Sequence, residues 1–276
     1  MKTRIISGCI LAPFLILVIL GGPFITAAVF LISLAGLSEF YKGFRKMKIR
    51  PSFMIGIFSI LGLYALDIAV YHLKVFPEGI TPYLYLLWLF LSVLASLLYM
   101  FNMEKRSLAD GMATLTGIVY IAFFAYHAVL AENLFADMLG ASPVWMIVIS
   151  AFGTDIFAYF GGYFLGKHKL CPTISPKKTI EGSLSGMLAS VILCTVFGWF
   201  FMDSSRLFVY AMTGLAGGIF SQFGDLTASV FKRKMGIKDY GNLIPGHGGI
   251  MDRFDSVLFT APMVFYIMMI FYAAGI

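Results

Sequence analysis

Charge is scarce in this chain: Asp, Glu, Lys and Arg together make up 12% of its 276 residues, about half the share found in soluble domains. With 60% of the residues hydrophobic, that shortage excludes a water-soluble globule and leaves a polytopic membrane protein. Cysteine is nearly absent as well. Cys9, Cys171 and Cys194 stand far apart with no CxxC or metal-ligand spacing, so they give no sign of a disulfide framework and read as small apolar fillers. Low-complexity tracts and long linkers are missing too, so no flexible tether interrupts the chain. What is abundant is apolar sequence. The 28 Phe and 14 Tyr residues suit lipid-facing and interfacial surfaces, and the 28 Gly suit close helix packing in lipid.

Crossing a hydrocarbon core takes about 20 mostly apolar residues. Nine stretches suffice or nearly do, at approximately 5–20, 24–37, 53–70, 83–101, 112–130, 144–165, 186–201, 207–228 and 256–274. The expected fold is therefore an all-α polytopic integral membrane protein with about nine transmembrane helices. The first two stretches are short and divided only by Gly21, Gly22 and Pro23, which suits a tight hairpin or two partly submerged segments. Lys2 and Arg4 ahead of an apolar run also resemble a signal peptide. Retention is the expected outcome, because Thr26-Ala27-Ala28 is a poor cleavage site and a second apolar stretch follows. All Lys and Arg residues except Lys74 and Arg206 fall in alternate connections. The positive-inside rule then places the N-terminus in the cytoplasm and the C-terminus outside. The cluster from Lys42 to Arg50 reads chiefly as a hold on anionic headgroups.

Residues 1–130 carry few polar groups beyond these topological charges and read as a scaffold or dimer region, whereas 131–276 reads as the catalytic region. Carboxylates inside spans are functional candidates by default. Asp225, about 18 residues along a span that starts at residue 207, lies roughly 27 Å deep and close to the cytoplasmic face. Asp252 and Asp255 open the last span from that face, three residues apart and so able to share one side of a helix. Clustered carboxylates repel unless a cation sits among them, and oxygen donors beside a phosphate suit Mg²⁺; salt bridges of Asp252 or Asp255 to Arg253 or Arg233 are the competing explanation. Asp155, with Tyr159 one turn later, either lines a polar cavity or is a protonated acid hydrogen-bonded within the bundle. A faint echo links 152–155 (FGTD) with 223–225 (FGD). Asp67 reads as interfacial, as do His72 and His168, and His127 as an ordinary buried histidine.

Two loops bring anion-binding parts to the same face. In Ser175-Pro176-Lys177-Lys178-Thr179-Ile180-Glu181-Gly182, lysines precede the 183–186 stretch expected to open the seventh span, where free amides favour phosphate. In Gly246-His247-Gly248-Gly249, glycines allow the backbone close to a ligand. Lys232, Arg233, His247 and Arg253 are expected around the same volume.

Together these elements resemble one family. Ser229-Val230-Phe231-Lys232-Arg233, Lys238-Asp239, Gly241, Ile244-Pro245, His247-Gly248-Gly249-Ile250 and Asp252-Arg253-Phe254-Asp255 follow the signature of the phosphatidate cytidylyltransferase (CDP-diacylglycerol synthase) family, and the 175–182 loop is similar to its second motif. The resemblance covers Asp155 to Asp255. It implies CTP and phosphatidate as substrates, CDP-diacylglycerol and pyrophosphate as products, and a divalent metal with room for a monovalent cation such as K⁺. It further implies a cytoplasm-facing cavity open to the bilayer, and a homodimer; no nucleic-acid partner is expected. The residues suit that chemistry. Asp225 and Asp252, with Asp255, are the expected Mg²⁺ ligands, while Lys177, Lys178, Lys232, Arg233 and Arg253 hold the two anions. Ser229 binds a phosphate or the metal, His247 donates to a phosphate, and Ser175, Thr179, Gly248 and Gly249 complete the nucleotide site. A transporter would spread its polar groups near the midplane of both halves. A lipid kinase would use the same metal and cations but yield a lipid carrying one more phosphate.

Overall fold

Apolar helices reversing direction at short connections make up the protein. A computed structural model describes residues 16–139, 141–243 and 248–275. Among these, eight helices are long and apolar enough to span a membrane: α1 (Pro23–Lys46), α2 (Phe53–His72), α3 (Thr81–Phe101), α4 (Leu108–Leu139), α5 (Val144–Leu165), α6 (Ile180–Phe201), α7 (Ser204–Lys234) and α8 (Met251–Ala273). The all-α expectation is met. Among the described residues the sole sheet is an antiparallel hairpin of β1 (Lys169–Cys171) and β2 (Ser175–Thr179) between α5 and α6. Most of the expected 5–20 segment, with Cys9, lies outside the described residues; 16–20 are helical.

Local chemistry fixes the helix starts. The Ser52 hydroxyl accepts the Ile55 amide at 3.3 Å, Ser107 and Asp110 form a reciprocal capping box ahead of α4, and the Thr179 hydroxyl accepts the Gly182 amide at 3.2 Å. Arg45 and Lys46 close α1, and Lys232, Arg233 and Lys234 close α7, where cations meet the negative end of the helix dipole. Several helices outrun their hydropathy, α1, α6 and α8 among them. α1 continues beyond residue 37 through Glu39 to Lys46, and α6 and α8 begin at Ile180 and Met251, ahead of the expected 186 and 256. In each case polar side chains occupy helical turns because hydrogen bonds satisfy them there, which an apolar window does not register.

Direction reversal puts connections 47–52, 102–107 and 166–179, with 235–243, at one end of the bundle, and these are the cation-rich ones. Phe40 of α1, Tyr120 of α4 and Phe231 of α7 meet at ring separations of 5.0 to 5.6 Å, joining the early helices to α7 through contacts of roughly 1 kcal/mol per pair. α7 and α8 approach closely at Gly224, where a β-carbon would stand 2.5 Å from the Asp255 carbonyl oxygen. That approach sets Asp225 against the start of α8.

Asp67 corrects an expectation. It is fully buried rather than interfacial, and accepts hydrogen bonds from the Tyr126 hydroxyl at 2.6 Å and the Asn133 amide at 2.8 Å; without water, a carboxylate inside a bundle persists where neighbours donate to it. His127 is buried, as expected, with Nδ1 2.8 Å from the Phe123 carbonyl and Nε2 3.2 Å from the Tyr266 hydroxyl. Cys171 and Cys194 are unpaired.

Candidate active site

At the cation-rich end, α5, α7, α8, the start of α6 and the hairpin enclose a cavity of about 640 Å³. Asp155 and Asp225 reach it from α5 and α7, which run in the same direction, so the paired FGTD and FGD motifs each deliver one aspartate. Asp225 stands nine residues before the end of α7 at Lys234, inside the helix rather than at its tip. Asp252 and Asp255 complete a set of four carboxylates, against which stand Lys177, Lys178 and Lys232. The expected convergence of Asp225, Asp252 and Asp255 is therefore present.

Distances show which cation meets which anion. Lys178 Nζ, on β2, is 2.5 Å from Asp225 Oδ2. Lys232 Nζ is 2.9 Å from Asp252 Oδ1 and 3.9 Å from Asp255 Oδ2. The Ser256 hydroxyl donates to Asp155 Oδ2 at 3.1 Å, so Asp155 both lines the cavity and is bonded within the bundle. Burial divides the two main pairs. Lys178 and Asp225 keep 25% and 31% of their side chains exposed, and a pair of that kind contributes no more than about 1 kcal/mol, so it exchanges readily for another partner. Lys232 and Asp252 keep only 15% and 4%, and removing one member of a buried pair costs roughly 3–5 kcal/mol. Lys178 is thus the exchangeable cation and Lys232 the fixed one.

Asp252 has a second task. Its Oδ2 accepts the backbone N–H groups of Tyr240 at 2.8 Å and Gly249 at 3.0 Å, tying both flanks of the motif loop to α8. The Tyr240 hydroxyl donates to the Ala228 carbonyl at 3.2 Å. Burial, reinforced by Tyr120 and Asp255, pushes its pKa well above that of an ordinary phenol, so it remains a neutral donor.

Thr179 joins the lysines and aspartates in lining the cavity. Ser175 pairs across the hairpin with Cys171, and Ser229 Oγ lies 3.5 Å from Asp225 Oδ1. Arg233 is exposed and Arg253 half-buried near the start of α8, and His247 lies outside the described residues. The glycines approach carboxylates of the protein itself: a β-carbon on Gly248 would stand 2.7 Å from Asp252 Oδ2. The expected free amides ahead of residue 186 are also accounted for differently, because the helix starts at Ile180 and Thr179 caps Gly182. Two groups escaped sequence reading. Gln222 lines the cavity and bonds Ser183, its Nε2 donating to the Ser183 carbonyl at 3.2 Å. Glu39 holds the start of α8; the sequence signal was a carboxylate within the apolar run that ends in LSEFY, hidden when the span was closed at residue 37.

Among the described residues, no three acidic, imidazole or thiol groups are gathered so as to hold a metal ion unaided. A hard divalent cation usually takes one or two carboxylates and completes its shell with phosphate and water. Asp225, held by an exchangeable lysine, fits that role, with Asp255 beside it. Asp252 is more committed, since both its oxygens already accept hydrogen bonds.

The sequence profile of the cytidylyltransferase family matches residues 2–271. The chain belongs to the cytidylyltransferase family. The chain is 32% identical over 273 residues to a Bacillus subtilis (strain 168) protein named phosphatidate cytidylyltransferase, with 98% of each chain covered. It is 35% identical over 291 residues to a protein of the same name from Synechocystis sp., covering 95% of this chain and 94% of the other. Staphylococcus haemolyticus has another, 31% identical over 271 residues. Such coverage extends the likeness to α1–α4, for which sequence reading offered only hydrophobicity.

Proposed function

We propose that this membrane enzyme condenses CTP with phosphatidate to give CDP-diacylglycerol and pyrophosphate. The observation that carries the reading is the cavity, in which four carboxylates and three lysines meet at the end of a membrane bundle beside an apolar outer wall. Tyr159 and Tyr163 of α5 line it while remaining 68% and 74% exposed, so a lipid can approach from the side as a water-soluble nucleotide enters from the end. Relatives named phosphatidate cytidylyltransferase support the same substrates.

Lys177 and Lys178 would receive the CTP phosphates, with Lys178 exchanging Asp225 for a phosphate oxygen. Lys232, held by Asp252, would present a fixed charge to the reacting centre, and Arg233 at the end of α7, Arg253 at the start of α8 and His247 between them would assist. A phosphatidate oxygen attacks the α-phosphorus of CTP; a new P–O–P linkage forms, the bond to the β-phosphate's bridging oxygen breaks, and pyrophosphate leaves. That oxygen is already ionised near neutral pH, so no general base is required. Mg²⁺ held by Asp225 and Asp255, with Asp252 alongside, would neutralise phosphate charge when bound. A neighbouring monovalent cation and a homodimer complete the proposal. Labelled CTP tests the reaction: label in the α-phosphate should enter the lipid and label in the γ-phosphate should enter pyrophosphate, whereas γ-label in the lipid would indicate a kinase.

Alanine at both Lys177 and Lys178 should raise the KM for CTP by roughly tenfold or more at low salt and by a smaller factor at high salt, where the wild-type attraction is itself screened, with little change in Mg²⁺ requirement. An unaltered CTP response with a weakened phosphatidate response would assign the hairpin to the lipid.

The cation-rich end would face the cytoplasm, with the N-terminus inside and the C-terminus outside the cell membrane. In a protein lacking Cys9, Cys171 and Cys194, Thr173→Cys and Asn242→Cys should react with an impermeant thiol reagent only from the cytoplasmic side, and Ser204→Cys only from outside. The reverse pattern would overturn the orientation.

A further inference from the structure

We infer that Glu39, on α1 and outside the cavity, is a positioning residue of this active site: its carboxylate fixes the start of α8 and, through it, Asp252 and Lys232. Glu39 is buried. Its Oε1 accepts the Ile250 amide at 3.1 Å and its Oε2 accepts the Met251 amide at 2.9 Å. Amides at a helix start have no partner within the helix, and the dipole there favours negative charge, so one carboxylate from a distant span satisfies two needs at once.

The surrounding backbone is built around that carboxylate. A β-carbon on Gly241 or on Gly249 would stand 2.5 Å from Glu39 Oε1, so both flanks of the motif loop must be glycine to close on it. Asp252 takes the neighbouring Gly249 amide and that of Tyr240, and its other oxygen holds Lys232. The amides of Gly249, Ile250 and Met251 are thus shared between Asp252 and Glu39. A displacement of the α8 start moves the anchor of the fixed lysine, although Glu39 itself lines no part of the cavity. Glutamine at this position keeps the shape but presents one carbonyl oxygen and an NH₂ to two N–H donors, so it breaks at least one bond.

The inference rests on the proposed reaction, and its test separates the two. In full-length protein purified in detergent, Glu39→Gln should lower kcat by on the order of tenfold to a hundredfold, with KM for CTP and phosphatidate changed by less than about threefold and a melting temperature only modestly below wild type. Gly249→Ala should lower kcat comparably, because its methyl group displaces the Glu39 carboxylate. In a Glu39→Ala background the carboxylate atoms nearest that methyl are gone, so Gly249→Ala should cause little further loss. Hydrogen exchange, which needs no turnover, should quicken in peptides spanning 240–251 of Glu39→Gln and stay unchanged in α5 and α6. Full kcat in Glu39→Gln, losses that multiply independently in the double variant, or unchanged exchange at 240–251 would each overturn the role assigned to Glu39. Absence of CDP-lipid from the wild-type protein would instead overturn the proposed reaction, leaving the exchange result to judge Glu39.

Discussion

Replacing Asp225 with asparagine is expected to lower kcat by about a thousandfold or more while the protein melts as wild type does. The substitution keeps the side chain's shape and removes its charge. It takes away a carboxylate more open than those of Asp252 and Asp255, and with it the resting partner of Lys178, the two groups proposed to meet the nucleotide phosphates. Stability is spared because the Lys178 pair is partly exposed and contributes little to the fold. Activity at saturating Mg²⁺ checks the assignment, and near-normal turnover by a well-folded Asp225→Asn would refute it.

Asp252→Asn should reduce turnover on a comparable scale, about a hundredfold to a thousandfold, but by a different route and with a second symptom. Asp252 accepts from Lys232, Tyr240 and Gly249. Asparagine retains one accepting oxygen, so its NH₂ must face either the lysine or the two amides. A largely buried Lys232 loses its partner, which costs roughly 3–5 kcal/mol. The melting temperature should therefore fall along with activity, unlike that of Asp225→Asn. Paired melting curves and rates for the two variants decide the matter, and an Asp252→Asn protein that melts and turns over like wild type would remove Asp252 from its anchoring role.

The membrane fold was legible because apolar runs of spanning length have few other uses, and the alternation of cations gave their order. Asp225, Asp252, Asp255 and the lysines stood out for a related reason: charge inside or beside a span is costly and therefore rare. Their pairing was not legible. Lys178 meets Asp225 only because SPKKT folds as β2 of a hairpin, and two strands of three and five residues are too short to carry a pattern. Glu39 was hidden by the same apolar window that found α1, since the window ends where polar residues begin although the helix continues to Lys46. Gly241 and Gly249 could be read as flexible positions near a ligand, but the neighbour they admit, the carboxylate of a residue some two hundred positions earlier, depends on tertiary packing.

The most direct measurement is the mass of the lipid formed when detergent-purified protein is incubated with phosphatidate, CTP and Mg²⁺, beside Asp225→Asn as control. The account predicts phosphatidate enlarged by one cytidine monophosphate unit, in wild type and not in the variant. Phosphatidate gaining a single phosphate, or no new lipid from active, folded wild-type preparations, would contradict it.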